Sequence, residues 1–479
     1  VWTAPRLFEA YLKCPTKCFL RSLGETGSGN AYADWVHAQN ASYEREGVTC
    51  LKEGVANDQC LAGPLDTKEL KSAKWYLAIE STVRAQDLEC TLQALERVPS
   101  VPPGKPPQFI PSRFIFTNKL GWHDKLLLAF DALVLSETLG REVDLAKIIH
   151  GDDRVTLKVK VATLRREVQK ITAKIVTLLS GQAPPDLILN RHCPECEFQK
   201  QCRQKAIEQD DLSLLAGVSE GERNRHRSKG IFTVRQLSYT FRPRRTPKRA
   251  KKPARPRYPA LQALAIRENT VYVHGTLKLP DSKAQVYLDI EGIPDSDSYY
   301  LIGAMIVSEG QEVFHSFWAD QNSEEAERFS QFAEAVCRLN DFRVLHFGDY
   351  ELVALRRMKA RIPENLHPKI DAILERATNV LSVIHPHLYF PTYSNTLKDI
   401  GRVLGFQRSD DDATGLQSIV WRQAWKESRA PEIKARLLQY NQDDCRELKY
   451  IVDFARQVIS PDSTSAALPS VLNQKFVDK

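Results

Sequence analysis

The run RPRRTPKRAKKPARPR at 242–257 holds nine Lys or Arg and four Pro, with no acid and no large apolar residue. Such a segment has nothing to bury, so the 479-residue chain is expected to fold as separate bodies on either side of an extended linker. Of the 67 Lys and Arg, these nine leave 58 against 60 Asp and Glu, so the net charge of +7 is a local surplus. The linker either serves solubility or targeting, or binds phosphates without sequence preference; the second reading predicts affinity that falls steeply with salt. A hydrophobic content of 42% suffices for two or more cores. No apolar run approaches the roughly 18 residues needed to span a bilayer, so a soluble, cytoplasmic protein with no membrane partner is expected. Val1 in place of Met suggests an excerpt of a longer chain. With no short internal repeat and no Walker phosphate loop, a built-in helicase motor is not expected.

Three acidic segments follow the linker: VYLDIEG at 286–292, HFGDYEL at 346–352 and YNQDDC at 440–445. In the first, Val286, Leu288 and Ile290 alternate with Tyr287, Asp289 and Glu291, so a strand would point both carboxylates to one face. The second reads as a strand, FRVLHF, running into a helix near Tyr350, with Glu351 in its first turn, where the macrodipole favours an anion. The third lies in the helical pattern ARLLQYNQDDCRELKYIVDFA, with Tyr440 and Asp444 one turn apart. A single acidic dipeptide is usually a solvated surface feature, and Tyr440 could be a core aromatic. Asp289 and Glu291 inside an apolar strand argue otherwise, because buried carboxylates without a cation are costly. Carboxylates converging from distant segments are what a pair of divalent ions needs to drive in-line attack on phosphate.

Order and spacing over roughly 260–457 resemble the ribonuclease H-like 3′–5′ exonucleases of the DEDD superfamily, in the subgroup with Tyr in its last motif. TLKDIGRVLGF at 396–406 is similar to the "LK, then LG" helix of bacterial putative exonucleases of this fold. The resemblance implies that Asp289, Glu291, Glu351 and Asp444 hold two Mg²⁺ or Mn²⁺ ions, with Tyr440 orienting the attacking water. The second motif usually supplies Asp; here Glu351 matches, with Asp349 and Asp399 as competitors.

Of ten cysteines, Cys193, Cys196 and Cys202 fall in HCPECEFQKQC, and Cys14 and Cys18 in YLKCPTKCFL. Three thiols within ten residues and a distant Cys-Pro suggest a four-thiolate site closing a very long loop. The arrangement is similar to RecB-like nucleases of the PD-(D/E)XK class that carry a [4Fe–4S] cluster. That resemblance assigns Cys14, Cys193, Cys196 and Cys202 to the cluster and leaves Cys18 a reduced neighbour; zinc is the alternative occupant. Cys50, Cys60, Cys90, Cys337 and Cys445 read as core or surface thiols, and disulfides are not expected without a secretory signal.

A RecB-like domain should also carry a metal-binding Asp on one strand and an acid two residues before Lys on the next. The strand CTLQALERV at 90–98 offers Gln93 and Ala94, and the predicted strand RFIFTNKL at 113–120 keeps Lys119 but has Thr117 in place of the acid. His37 resembles the His found upstream in active relatives, yet a lone helical His is more often structural. The first domain therefore reads as a nuclease fold that has lost its own catalysis, with Asp131 and Glu89 as candidate replacements.

The expected fold is α/β multidomain: a degenerate PD-(D/E)XK RecB-like domain at 1–209, a helical hairpin around Gly230 at 210–241, the linker at 242–258, a ribonuclease H-like mixed-sheet domain at 259–458 and a tail at 459–479. Within the later domain the pattern predicts a hairpin of ALAIREN and TVYVHG, three further strands, a helix, the strand FRVLHF and then mostly helix. The expected function is a metal-dependent nuclease, a 3′–5′ exonuclease with DNA as its partner and RNA as the alternative substrate. The competing class is a non-catalytic nucleic-acid-binding or scaffold subunit of a DNA-processing, defence or mobile-element system.

Overall fold

The computed structural model describes residues 3–99, 106–181, 183–242, 258–459 and 473–477. The basic run from 243 to 257, and with it the linker reading, lies outside the described residues, as does most of the tail beyond 459. The chain divides into two compact units, Val1–Arg203 and Gln204–Lys479.

The first unit is built on a six-stranded mixed sheet whose strands lie side by side in chain order. Its central strands are Leu77–Ala85, Leu88–Val98 and Gln108–Ile115, followed by Leu145–His150 and Val155–Lys160. The parallel step from Gln108–Ile115 to Leu145–His150 is made through the helix Trp122–Leu139. That helix is apolar almost all round, which suits an element buried against the sheet on one side and the helix Arg165–Ser180 on the other. Six strands replace the two legible in the sequence. The predicted strand at 113–120 ends at Ile115, because Thr117 and Asn118 make turn contacts: Lys119 N donates to Thr117 Oγ1 (3.2 Å) and Asp152 N to Asn118 Oδ1 (3.0 Å).

The second unit opens with two short helices, Glu220–Arg227 and Val234–Ser238, each begun by a capping box and separated by Gly230 at φ 76°. ALAIREN is not a strand. It ends the helix Pro259–Glu268, since Pro259 opens a run of good helix formers and Asn269 closes it in the left-handed region at φ 47°. Thr270–His274 is a strand as expected, but it pairs with Leu388–Tyr389 and Asn473–Val477 in a separate small sheet.

The main sheet of this unit has the order Gln311–Trp318, Ser298–Ser308, Ala284–Ile293, Phe342–His346, Ala377–Asn379. The first three strands form an antiparallel meander and the last two run parallel to Ala284–Ile293. Strand alternation sends Val286, Leu288 and Ile290 into a core with the helices Glu325–Cys337, Tyr350–Lys359 and His367–Glu375. Tyr287 faces the opposite core, covered by Leu397–Leu404 and the long helix Pro431–Ile459. Asp289 and Glu291 share the parity of Tyr287, so the pleat delivers both to the side of the long helix.

Candidate metal centre

Asp289 and Glu291 on the central strand meet Asp444 from the long helix, and one carboxylate oxygen of each lies within 4.8 Å of the others. Asp444 comes from the helical turn after Tyr440, and both are buried. Glu351 stands in the first turn of Tyr350–Lys359, only 5% exposed, and its charge acts on Asp289 and Glu291 from beside the triad. Its Oε2 is 3.5 Å from Nδ1 of the fully buried His346. Of the competitors for that position, Asp349 accepts from Asn379 Nδ2 (3.0 Å), and Asp399 is held by Ser394 Oγ and Arg402. Neither joins the triad.

Asp289, Glu291, Tyr440 and Asp444 are each held by a neighbour the sequence did not single out. Asn441 Nδ2 donates to Asp289 Oδ2 (2.6 Å), and Ser418 Oγ to Glu291 Oε2 (2.7 Å). Lys398 Nζ donates to the Tyr440 hydroxyl (3.0 Å), one helical turn from Asp444. Arg408 bridges Asp444 (2.6 Å) and Glu447. Glu447 could have been suspected, lying one turn beyond Asp444, and Lys398 sits inside the quoted TLKDIGRVLGF. Ser418 and Arg408 carry no local signal.

Burial, then the charge of Asp444, pushes Glu291 up to about 8 from its ordinary 4.5, and the same two causes put Asp289 well above the usual carboxylate range. Glu447 is raised to about 7 by burial despite Arg408. Burial raises Asp444 too, against Arg408 and Lys398. The cluster therefore holds more carboxylate charge than its own cations offset. Among the described residues, Glu447 Oε1 is buried without a hydrogen-bond partner, Glu351 Oε2 has only the His346 ring beside it, and Asp444 Oδ1 meets only the Arg408 guanidinium. Hard divalent cations, which take oxygen ligands, fit this donor set.

In the first unit a cavity is lined by Cys14, Cys193, Cys196 and Cys202, together with Lys13, Lys17 and His192. Cys18 points elsewhere: it is fully buried in the hydrophobic core, and burial pushes its thiol up to about 12. The remaining sequence candidates do not form a carboxylate centre. Gln93 donates to Glu44 (2.7 Å) and accepts from Phe114 N (2.6 Å), while Arg113 pairs with the buried Asp131 (2.8 Å). Ala94 is buried in the sheet, and Glu89 pairs with Arg84 at the surface. His37 is exposed on the helix Ala31–Glu53, and Thr117 and Lys119 lie beyond the strand.

Residues 286–456 match a family model, RNase_H_2, described as RNase_H superfamily. No curated protein matches the chain. This part of the chain is a ribonuclease H-like domain, a nuclease-type fold, and its match spans the strand with Asp289 and Glu291, the Glu351 turn and the helix with Tyr440 and Asp444. Among the described residues no helix is long and apolar enough to cross a membrane.

Proposed function

We propose that the second unit is a metal-dependent nuclease, a DNA 3′–5′ exonuclease, in which Asp289, Glu291, Glu351 and Asp444 hold two Mg²⁺ or Mn²⁺ ions. The observation that carries the reading is the convergence of Asp289, Glu291 and Asp444 to within 4.8 Å in a buried, over-acidic cluster. When bound, the ions supply charge stabilisation to the scissile phosphate and activation of the attacking water. The chain's part is positioning. Asn441 and Ser418 fix Asp289 and Glu291, and burial keeps the cluster in a low-dielectric setting where electrostatic stabilisation is strong. Tyr440 presents its hydroxyl beside Asp444 to align water for in-line attack.

The test is hydrolysis of DNA labelled at either end, with Mn²⁺ and with chelator. Asp289→Asn and Asp444→Asn should each abolish metal-dependent loss of 3′ nucleotides; activity surviving in both would overturn the assignment. The ion pair of Arg408 with Asp444 favours a second reading, a non-catalytic nucleic-acid-binding subunit whose carboxylates are neutralised internally. Tight binding of single-stranded DNA by wild-type protein with no turnover under either metal would select it.

For the first unit we propose a RecB-like fold clipped by a [4Fe–4S] cluster on Cys14, Cys193, Cys196 and Cys202. The shared cavity supports this set. Zinc on the same four thiolates is the alternative occupant. The Arg113–Asp131 pair and the amide at Gln93 support loss of catalysis in this unit, since a side-chain cation and a neutral amide stand among its carboxylates.

A further inference from the structure

Lys398 is the second residue of the helix Leu397–Leu404, whose N-cap Thr396 accepts from Asp399 N (3.2 Å). Its side chain crosses to the long helix and lies over the Tyr440 ring, Nζ 4.2 Å from the centroid. The ammonium is pinned by two acceptors, the carbonyl of Ala413 and the Tyr440 hydroxyl at 3.0 Å. An ammonium only donates, so the phenol oxygen must be the acceptor in that bond. The Asp444 carboxylate, one helical turn on, is the acceptor within reach of the phenol's proton. What Tyr440 can still offer toward the site is therefore a lone pair.

We propose that Lys398 is a positioning residue that locks the Tyr440 hydroxyl as a hydrogen-bond acceptor, so that a water held by Tyr440 donates a hydrogen bond to the phenol oxygen and keeps a lone pair aimed at phosphorus. The inference rests on the nuclease reading of the same site. Without Lys398 the phenol oxygen loses the donor that fixes its orientation, so the hydroxyl can turn away from Asp444 and donate its proton to the water, which would occupy the lone pair needed for attack. A rival role, simple neutralisation of nearby carboxylates, makes different predictions, because it does not pass through Tyr440.

The experiment compares wild type, Lys398→Met, Lys398→Arg, Tyr440→Phe and the Lys398→Met/Tyr440→Phe double variant on labelled single-stranded DNA, with Mn²⁺ affinity measured separately by calorimetry. Lys398→Met should lower kcat by about 100-fold, the scale of a misplaced reacting group, with KM unchanged. Lys398→Arg should restore most of the loss, and the double variant should be no slower than Tyr440→Phe alone. Mn²⁺ affinity in Lys398→Met should stay equal or rise, since a competing cation has been removed from a folded site. Losses that multiply in the double variant, a raised KM, or weakened Mn²⁺ binding would overturn the proposal. Asp289→Asn run alongside separates the two ideas: if it is inactive while Lys398→Met matches wild type, only the role of Lys398 falls; if it is active, the nuclease reading falls as well.

Discussion

Asn441 reaches Asp289 across the face of the sheet because the strand residue paired with Asp289 is Gly303. A Cβ at 303 would stand 1.9 Å from Asn441 Oδ1 and 2.7 Å from its Cγ. Both are in the interior, Asn441 with no exposure at all. The glycine is thus required by close approach of a functional side chain rather than by backbone conformation.

Gly303→Ala should push Asn441 off Asp289, lowering stability by about 1–3 kcal/mol through overpacking and a broken buried hydrogen bond. Melting temperature and nuclease rate should fall together. Adding Asn441→Ala should recover the stability, because the clash is gone, but not the rate, because Asp289 still lacks its donor. A Gly303→Ala protein with the wild-type melting point and rate would remove Asn441 from the site.

The raised carboxylates predict the sign of pH dependence in metal-free protein. Glu291 moves from 4.5 to about 8, and Asp289 shifts the same way, both chiefly by burial and then by Asp444. A folded-state value above the unfolded one means the native state holds extra protons, so stability is full below about pH 4.5 and is lost as pH rises toward about 8. The melting temperature without metal should therefore drop between pH 5 and pH 8, roughly. Mn²⁺ should raise it more at the upper end, where no proton has to leave before the ion binds. Glu291→Gln should flatten the profile; an equally steep profile in that variant would assign the effect elsewhere.

Glu351 can be separated from its competitors by metal binding alone. Glu351→Gln should weaken Mn²⁺ binding by about tenfold or more, the range seen when groups at a metal site are altered. Asp349→Asn and Asp399→Asn should leave it near wild type, since their carboxylates are already occupied by Asn379, Ser394 and Arg402. The opposite ranking would transfer the second-motif role.

Legibility in the sequence followed the range of the interactions involved. The alternation at 286–291 and the one-turn spacing of Tyr440 and Asp444 are local periodicities, and the strand and helix that carry them were readable. The orienting partners were not, because Ser418 and Glu291 lie 127 residues apart, and Asn441 and Asp289 152. ALAIREN misled for a related reason. Its short apolar run suits helix or strand equally, and only the Pro259 start and the Asn269 cap decide for helix. At 113–120 the apolar start masked turn chemistry at Thr117 and Asn118. That the cysteines share one cavity across some 180 residues was inferable from their type, since thiols grouped at such spacings are common ligands of a metal or cluster.

The cysteine cavity makes a prediction of colour. Anaerobically purified protein should be brown and should bleach on oxidation; colourless protein carrying one zinc would refute the cluster but keep the clip. Cys196→Ala should destabilise the first unit in either case, because binding energy at a site that closes so long a loop is folding energy. Limited proteolysis should then cut within residues 1–203 first, and an unchanged digestion pattern would count against any metal clip.

The final prediction sets the two units and the linker against one another. Lys119 lies past the strand end, and the first unit's carboxylates Glu44 and Asp131 are engaged by Gln93 and Arg113, so Lys119→Ala should leave nuclease activity essentially intact. Asp444→Ala should eliminate it. Replacing the nine Lys and Arg at 242–257 with neutral residues should lower DNA affinity and flatten its salt dependence, while the rate on fully bound substrate stays unchanged. The distinction follows from what each part supplies: the basic run supplies charge, whereas attack at a phosphate also requires fixed geometry, which the strand and long helix provide through Asp289, Glu291 and Asp444. An inactive but properly folded Lys119→Ala protein would mean that the first unit is a working nuclease despite Gln93 and Arg113.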